Sequence, residues 1–159
     1  MLRKKVVLVS AMAVAVALLA GVVGARALSS GSTTYVLKAS LSTKAIASLK
    51  DATGASGTLT GKLIVAGKKS SLTWTLTIRH LSGTATHADI YFGTGKAGTL
   101  ALPLCVKCQA PSAHGAYVGP YVAMPTFVRT IVHGGAYAIV VTTQNPKGEI
   151  RGQIKATSA

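Results

Sequence analysis

Apolar residues recur at every second position through most of the chain after Tyr35. The clearest run extends from Ser71 to Arg79, where the even-numbered positions are apolar and the odd-numbered positions are polar. The apolar set is Leu72, Trp74, Leu76 and Ile78, and the polar set includes Thr73, Thr75 and Thr77. Alternation of this kind, with β-branched residues on the polar side, predicts a strand with one buried face.

The same period predicts six further short strands, separated by turns that contain glycine or proline. They lie around Tyr35–Leu41, Leu59–Val65, Ala88–Phe92, Leu100–Leu104, Ala136–Thr143 and Ile150–Ile154. In the strand at 136–143, Tyr137, Ile139 and Val141 are in phase and are predicted to share one face. About seven antiparallel strands with such turns predict an all-β fold, namely an immunoglobulin-like β-sandwich of two sheets.

Two segments depart from the period of two. Pro125 to His133 is predicted to form a short helical turn that Gly134-Gly135 ends, with His133 near its C-terminal cap. Cys105–Met124 has no clear period, and a loop of that length in a small domain is usually functional or hides an element. The alternating residues Tyr117, Gly119 and Tyr121 are compatible with an additional edge strand in this segment.

The N-terminus has the three parts of a secretory signal peptide. Arg3, Lys4 and Lys5 precede an uncharged apolar run over 6–24, and Ala25-Arg26-Ala27 offers small residues for cleavage. We predict a signal peptide helix at 1–27, a flexible lead-in at 28–34 and one domain at 35–156 of a secreted, extracytoplasmic protein. The alternative is an N-terminal membrane anchor, because the run approaches the ~20 residues that span a bilayer.

The predicted domain is strongly basic. The chain has 17 Lys and Arg against 3 Asp and Glu, and four of the basic residues precede Leu28, which leaves 13. The basic residues are predicted on outward polar faces (Arg79, Arg151, Lys155) and at turns (Lys68, Lys69, Lys96, Lys147). This excess favours anionic cell-envelope polymers as partners, although a role in solubility alone accounts for it equally well. The charges are dispersed and not interleaved with aromatic residues, which disfavours nucleic acid.

The most specific part of the sequence lies near the C-terminus, in the consecutive residues Gly148, Glu149, Ile150, Arg151, Gly152 and Gln153. Together with Ala136-Tyr137 and Asn145-Pro146, they resemble the end of the CHRD domain, a module repeated in chordin and common in secreted bacterial proteins. That family typically ends in a YVNVHT…P-GEIRGQ pattern. Leu72–Gly83 and Ala88–Leu102 are similar to its upstream stretches, so the resemblance covers most of the chain after Tyr35.

The resemblance implies a secreted, non-catalytic module that binds an envelope polymer or another extracellular protein. It also implies a structural role for Gly148–Gln153. Independently of the resemblance, Glu149 and Arg151 alternate onto one strand face and are expected to form an ion pair on the strand surface. Many relatives have histidines in an HIH segment, where this chain has Asp89 and Tyr91. A ligand or metal role resting on those histidines therefore does not carry over.

Cys105 and Cys108 form a C-x-x-C motif with three interpretations. A redox site needs a helix N-terminus in a βαβ setting, and a zinc knuckle needs about four ligands, of which only His114 is near in sequence. A structural disulfide fits an oxidising compartment. We predict the disulfide, which pins a local turn and adds only about 2 kcal/mol because its ring is small.

The sequence offers few groups for catalysis or metal binding. Its acidic residues are Asp51, Asp89 and Glu149, its histidines are His80, His87, His114 and His133, and no G-x-S-x-G is present. His87 and Asp89 share a strand face, and this pair has two interpretations: a cation site, or a polar face exposed to solvent. We expect no enzyme, cofactor or metal. The alternative class is a Cu,Zn superoxide dismutase-like enzyme. Such an enzyme requires a cluster of histidines on adjacent strands, and the residues at those positions, Asp89, Tyr91 and Thr142, are not histidines.

Overall fold

The structure is a computed structural model that describes residues 31–46, 49, 54–94 and 97–159. The predicted signal peptide at 1–27 lies outside the described residues, as do Asp51 and Lys96. The strands are β1 (Thr33–Ser42), β2 (Ser56–Val65), β3 (Ser71–Arg79), β4 (Ala85–Phe92), β5 (Thr99–Val106), β6 (Ser112–Val118), β7 (Ala136–Thr142), β8 (Ile150–Gln153) and β9 (Lys155–Ser158), and the α-helix is α1 (Pro125–Val132). No helix among the described residues is long and apolar enough to cross a membrane.

The prediction of an all-β fold is confirmed, but the immunoglobulin-like sandwich of about seven strands is not. All nine described strands belong to one antiparallel sheet in the order β5-β4-β7-β8-β1-β2-β3-β6, with β9 also paired to β1. The sheet curls into a nearly closed barrel around the core. Periodicity did not distinguish the two architectures, because a strand buried on one face has the same pattern in a sandwich and in a barrel.

The C-terminal strand pair continues along β1 without a change of register. Ser42 pairs with Arg151 and Lys38 pairs with Lys155, four residues further along each strand. Ile154 separates β8 from β9, and its N–H donates to the carbonyl of Ala136 on β7 at 2.8 Å. Strand β8 is therefore held between β7 and β1 in the middle of the sheet, and β9 continues along β1.

Side chains close the gap between the two end strands of the sheet, β5 and β6. The hydroxyl of Tyr117 on β6 donates to the carbonyl of Pro103 on β5, and the hydroxyl of Tyr121 donates to that of Ala101. Pro103 cannot donate a backbone N–H to a neighbouring strand, and the two tyrosine hydroxyls link the β5 carbonyls to the β6 side of the gap. The stretch without a clear period thus contains the edge strand β6, and Cys105 and Cys108 form a disulfide at the end of β5.

The core follows the predicted pattern most closely on β3. Leu72, Trp74, Leu76 and Ile78 are all buried there. Helix α1 starts with Pro125, ends at the cap residue His133 as predicted, and buries Phe127 and Ile131. The ring of Phe127 lies 5.9 Å from that of Phe92 on β4, centroid to centroid, so the helix packs against the barrel interior.

Candidate functional site

The outer face of the three neighbouring strands β4, β7 and β8 forms the floor of a groove. Side chains on this face lie in two cross-strand rows, one of Asp89, Ile139 and Arg151 and one of Tyr91, Tyr137 and Gln153. The opposite face of β7, with Ala136, Ala138 and Val140, faces the core. Tyr137, Ile139 and Val141 do share a face, but it is the face away from the core.

Residues from three loops line the sides and ends of this groove. Lys44, Ala45 and Ile46 follow β1 on one side, Pro146 and Lys147 close one end, and Thr94, Ala97 and Gly98 close the other. The groove has a volume of ≈ 1110 Å³. Its lining combines apolar and aromatic side chains with polar and charged ones, the two kinds of group that ligand pockets use for contact area and for orientation. The described residues of its lining include three permanent cationic side chains, Lys44, Lys147 and Arg151, together with His87.

Arg151 is the most buried of the three permanent cationic side chains that line the groove, since Lys44 and Lys147 are exposed. Its guanidinium carbon lies 3.4 Å from the centroid of the Tyr137 ring, and the residue is only 9% exposed. On the neighbouring strand, the Tyr91 ring stacks on Tyr137 at 5.6 Å with an angle of 12° between the planes. Arg151 does lie on the predicted outward face of β8, but it is not exposed to solvent there, because the ring of Tyr137 and the residues lining the groove cover it.

Glu149 is the second charged group of the motif, and it is fully buried. Its Oε1 accepts the backbone N–H of Ser82 at 2.6 Å, and its Oε2 accepts the hydroxyls of Thr142 at 2.6 Å and Ser82 at 2.8 Å and the Asn145 amide at 3.2 Å. Burial by itself raises the pKa of Glu149, but these hydrogen bonds outweigh it and hold the pKa below its usual value. The predicted surface ion pair of Glu149 with Arg151 is wrong, because Glu149 is fully buried and Arg151 forms no salt bridge with a described residue.

The other motif residues shape the backbone around these two charges. Gly148 has a φ of 111°, which a residue with a Cβ adopts only under strain. A Cβ on Gly152 would lie 2.1 Å from the Ser40 carbonyl oxygen, so β8 approaches β1 more closely than a side chain permits. The Gln153 amide nitrogen donates to the carbonyls of Gly134 at 2.6 Å and Ala136 at 2.7 Å. The motif thus fixes the strand that presents Arg151.

His87 and Asp89 lie together on the groove side of β4, as their spacing predicts. His87 Nε2 is 3.5 Å from Asp89 Oδ2, and Asp89 is buried although its partner is not. Burial raises the pKa of Asp89, and the charge of His87 opposes that shift. No group of three or more His, Cys, Asp or Glu side chains in the described part of the chain is arranged to hold a metal ion.

The structure brings some predicted residues together and separates others. Arg151 and Lys147 line the groove, whereas Lys68, Lys69, Arg79 and Lys155 are exposed elsewhere. The disulfide of Cys105 and Cys108 lies at the end of β5 and is not part of the groove lining. Sequence analysis missed Lys44 and Tyr137 as site residues. The available signal was the two-sided apolar pattern of β7, in which both faces carry apolar residues and the outer one therefore needs a cover or a ligand.

A comparison with models of protein families matches residues 37–154 to the CHRD domain. The matched range contains the groove floor and the whole Gly148–Gln153 motif, and it confirms the resemblance predicted from the sequence. Neither curated proteins nor solved structures gave a match to the chain.

Proposed function

Because this chain belongs to the CHRD domain family, we propose that it is an exported, non-catalytic module that binds an anionic polymer of the cell envelope. The observation that carries the proposal is the charge of the groove: of the described residues that line it, Lys44, Lys147 and Arg151 are cationic and none is acidic. Asp89 lies on the same face of β4, but it is buried beside His87 and is not part of the lining. A concave site lined by charge of one sign raises the local concentration of ligands of the opposite sign. Another extracellular protein with an acidic surface is the alternative partner.

Export is the first part of this proposal and is tested on the protein isolated from producing cells. We expect the intact mass of a chain that starts at Leu28, recovered in the extracytoplasmic fraction. A full-length species that stays in the membrane would show that the N-terminal run is an anchor.

Polymer binding is tested by retention of the purified protein on isolated envelope between 0.1 and 1 M salt. The Debye length falls from ~10 Å to ~3 Å over this range, so electrostatic retention decreases steeply. The double variant Lys44→Gln/Lys147→Gln is expected to elute at lower salt than the wild type. The matched control is Lys38→Gln/Lys155→Gln, which removes two exposed charges from a cross-strand pair that is not part of the groove lining.

Equal shifts for the two double variants would mean that the dispersed charge, and not the groove, contacts the polymer. Absence of retention at 0.1 M salt would contradict polymer binding altogether.

A further inference from the structure

The guanidinium of Arg151 has no oxygen partner within the part of the chain that the structure describes. It forms neither a hydrogen bond nor an ion pair there, and its one close polar contact is the face of the Tyr137 ring. Asp89, in the same cross-strand row, lies two strands away, which corresponds to ~10 Å between the Cα atoms. A guanidinium has five N–H donors in a planar fork, so most of its hydrogen-bonding capacity faces the groove unused.

This arrangement is unfavourable for the free protein. A charge that is nine-tenths buried loses hydration, and a single cation–π contact compensates for only part of that loss. The motif around it adds to the constraint, because Gly152 and Gln153 hold β8 against its neighbours. A fixed, partly desolvated guanidinium that faces a groove is suited to bind an oxyanion from outside the chain by donating hydrogen bonds to it.

We propose that Arg151 is the receptor for a carboxylate group of an acidic polysaccharide, bound through two parallel N–H···O bonds. The proposal rests on the proposed function and names its ligand class. The hydroxyls of Tyr91 and Tyr137 also lack partners among the described residues, and both line the groove beside Arg151. They supply donors and acceptors for sugar hydroxyls, while Ile139 and Val141 contact the apolar side of a sugar ring.

The strand order argues against an extended peptide as the occupant. β4, β7 and β8 are interior strands with a paired neighbour on each side, so the groove floor has no free edge to which a peptide strand could add. An acidic peptide would have to bind through its side chains alone. Polymer hydroxyls and carboxylates match the polar groups present without any backbone pairing.

The first experiment uses the unaltered protein and trigalacturonate, a short oligomer of a carboxylated sugar, in 0.3 M salt. NMR of the arginine Nε–H groups follows Arg151 together with Arg79 and Arg129, the two other arginines after the predicted signal peptide. We expect the Arg151 signal to shift with saturation while the signals of the exposed Arg79 and Arg129 stay in place. Parallel small shifts of all three would mean diffuse attraction and would overturn the proposal.

Variants then test geometry against charge, with calorimetric titration of polygalacturonate as the measurement. Arg151→Lys keeps the positive charge but loses the fork, and we expect its affinity to fall at least about tenfold. Arg79→Gln loses a whole charge at an exposed strand end and is expected to change affinity less than about twofold. Fluorescence of Trp74, the single tryptophan, confirms that each variant is folded.

Two further probes decide the ligand class. The first probe is dextran sulfate: if it binds more tightly than polygalacturonate, with the same dependence on Arg151, the site selects sulfate. The second probe is polyglutamate: if it binds more tightly than polygalacturonate, the site selects an acidic peptide. Either result overturns the proposal. If Lys44→Gln/Lys147→Gln weakens envelope retention while Arg151→Lys changes nothing, the proposed function stands and this inference fails. If neither the isolated envelope nor any of the test polymers and oligomers binds the protein, both the proposed function and this inference fail.

Discussion

Replacement of Glu149 by glutamine tests whether the buried carboxylate stabilises the barrel as an ionised group. The change keeps the shape of the side chain but removes its charge, and it places an amide donor among four hydrogen-bond donors. The hydroxyls of Ser82 and Thr142 can rotate to accept from the new amide, whereas the Ser82 N–H cannot, so we expect the amide oxygen to remain on that N–H.

The size of the effect follows from the number and type of bonds. A hydrogen bond to a charged group contributes about 1.5–3 kcal/mol, against about 1 kcal/mol for a neutral one. Conversion of four such bonds to neutral ones, partly offset by rotation of the two hydroxyls, is expected to lower the free energy of unfolding by about 3 kcal/mol at pH 7. That is a large part of the 5–15 kcal/mol that is typical of a domain, and it is readily measured.

The pH dependence provides the sharper test. The hydrogen bonds place the folded-state pKa of Glu149 below its ordinary value of 4.5. The unfolded state therefore binds a proton first, and the stabilisation is complete above pH 4.5 and is lost as pH falls through the folded-state pKa. We expect the difference in stability between wild type and Glu149→Gln to shrink as pH falls below 4.5, the ordinary pKa of the carboxyl, and through the lower folded-state pKa.

The assay is urea unfolding followed by the fluorescence of Trp74 at a series of pH values. General acid destabilisation of a basic protein cancels in the difference between the two proteins. Asp89→Asn is the control, because burial raises the pKa of Asp89 and its ionised form is disfavoured in the fold, so the change is expected to be neutral or stabilising at pH 7. A difference for Glu149→Gln that does not change with pH would refute the explanation by ionised-state hydrogen bonds.

Two further predictions concern the backbone and the disulfide. Gly152→Ala brings a Cβ within 2.1 Å of the Ser40 carbonyl oxygen, whereas Gly61→Ala brings one within 2.9 Å of the Thr73 carbonyl oxygen. Urea unfolding is expected to show that Gly152→Ala lowers the free energy of unfolding by more than about 3 kcal/mol and that Gly61→Ala lowers it by less. Equal losses would mean that β1 and β8 separate easily. Cys105→Ser is expected to cost no more than about 2 kcal/mol, and alkylation under denaturing conditions is expected to find no free thiol in the exported wild type. Two reactive thiols would instead support the redox interpretation.

The sequence by itself determined much of the local structure. Alternation on β3 identified Leu72, Trp74, Leu76 and Ile78 as core residues, because a strand with one wet face has a period of two wherever it lies. The proline and glycines around 125–135 fixed the ends of α1, since their backbone preferences act within a few residues. The C-terminal motif identified the family, because its glycines and charged residues occur in a distinctive order.

Only the tertiary structure decided how the sheet closes and what the motif residues do. β7 is apolar on both faces, so its period could not show that Tyr137 belongs to the groove and Ala138 to the core. Glu149 is buried because Ser82, 67 residues earlier, supplies two of its donors, and a separation of that length leaves no local pattern. Arg151 appeared solvated from its alternation with apolar neighbours. It is covered because Tyr137 lies on the adjacent strand, and strand adjacency is set by the fold of the whole sheet.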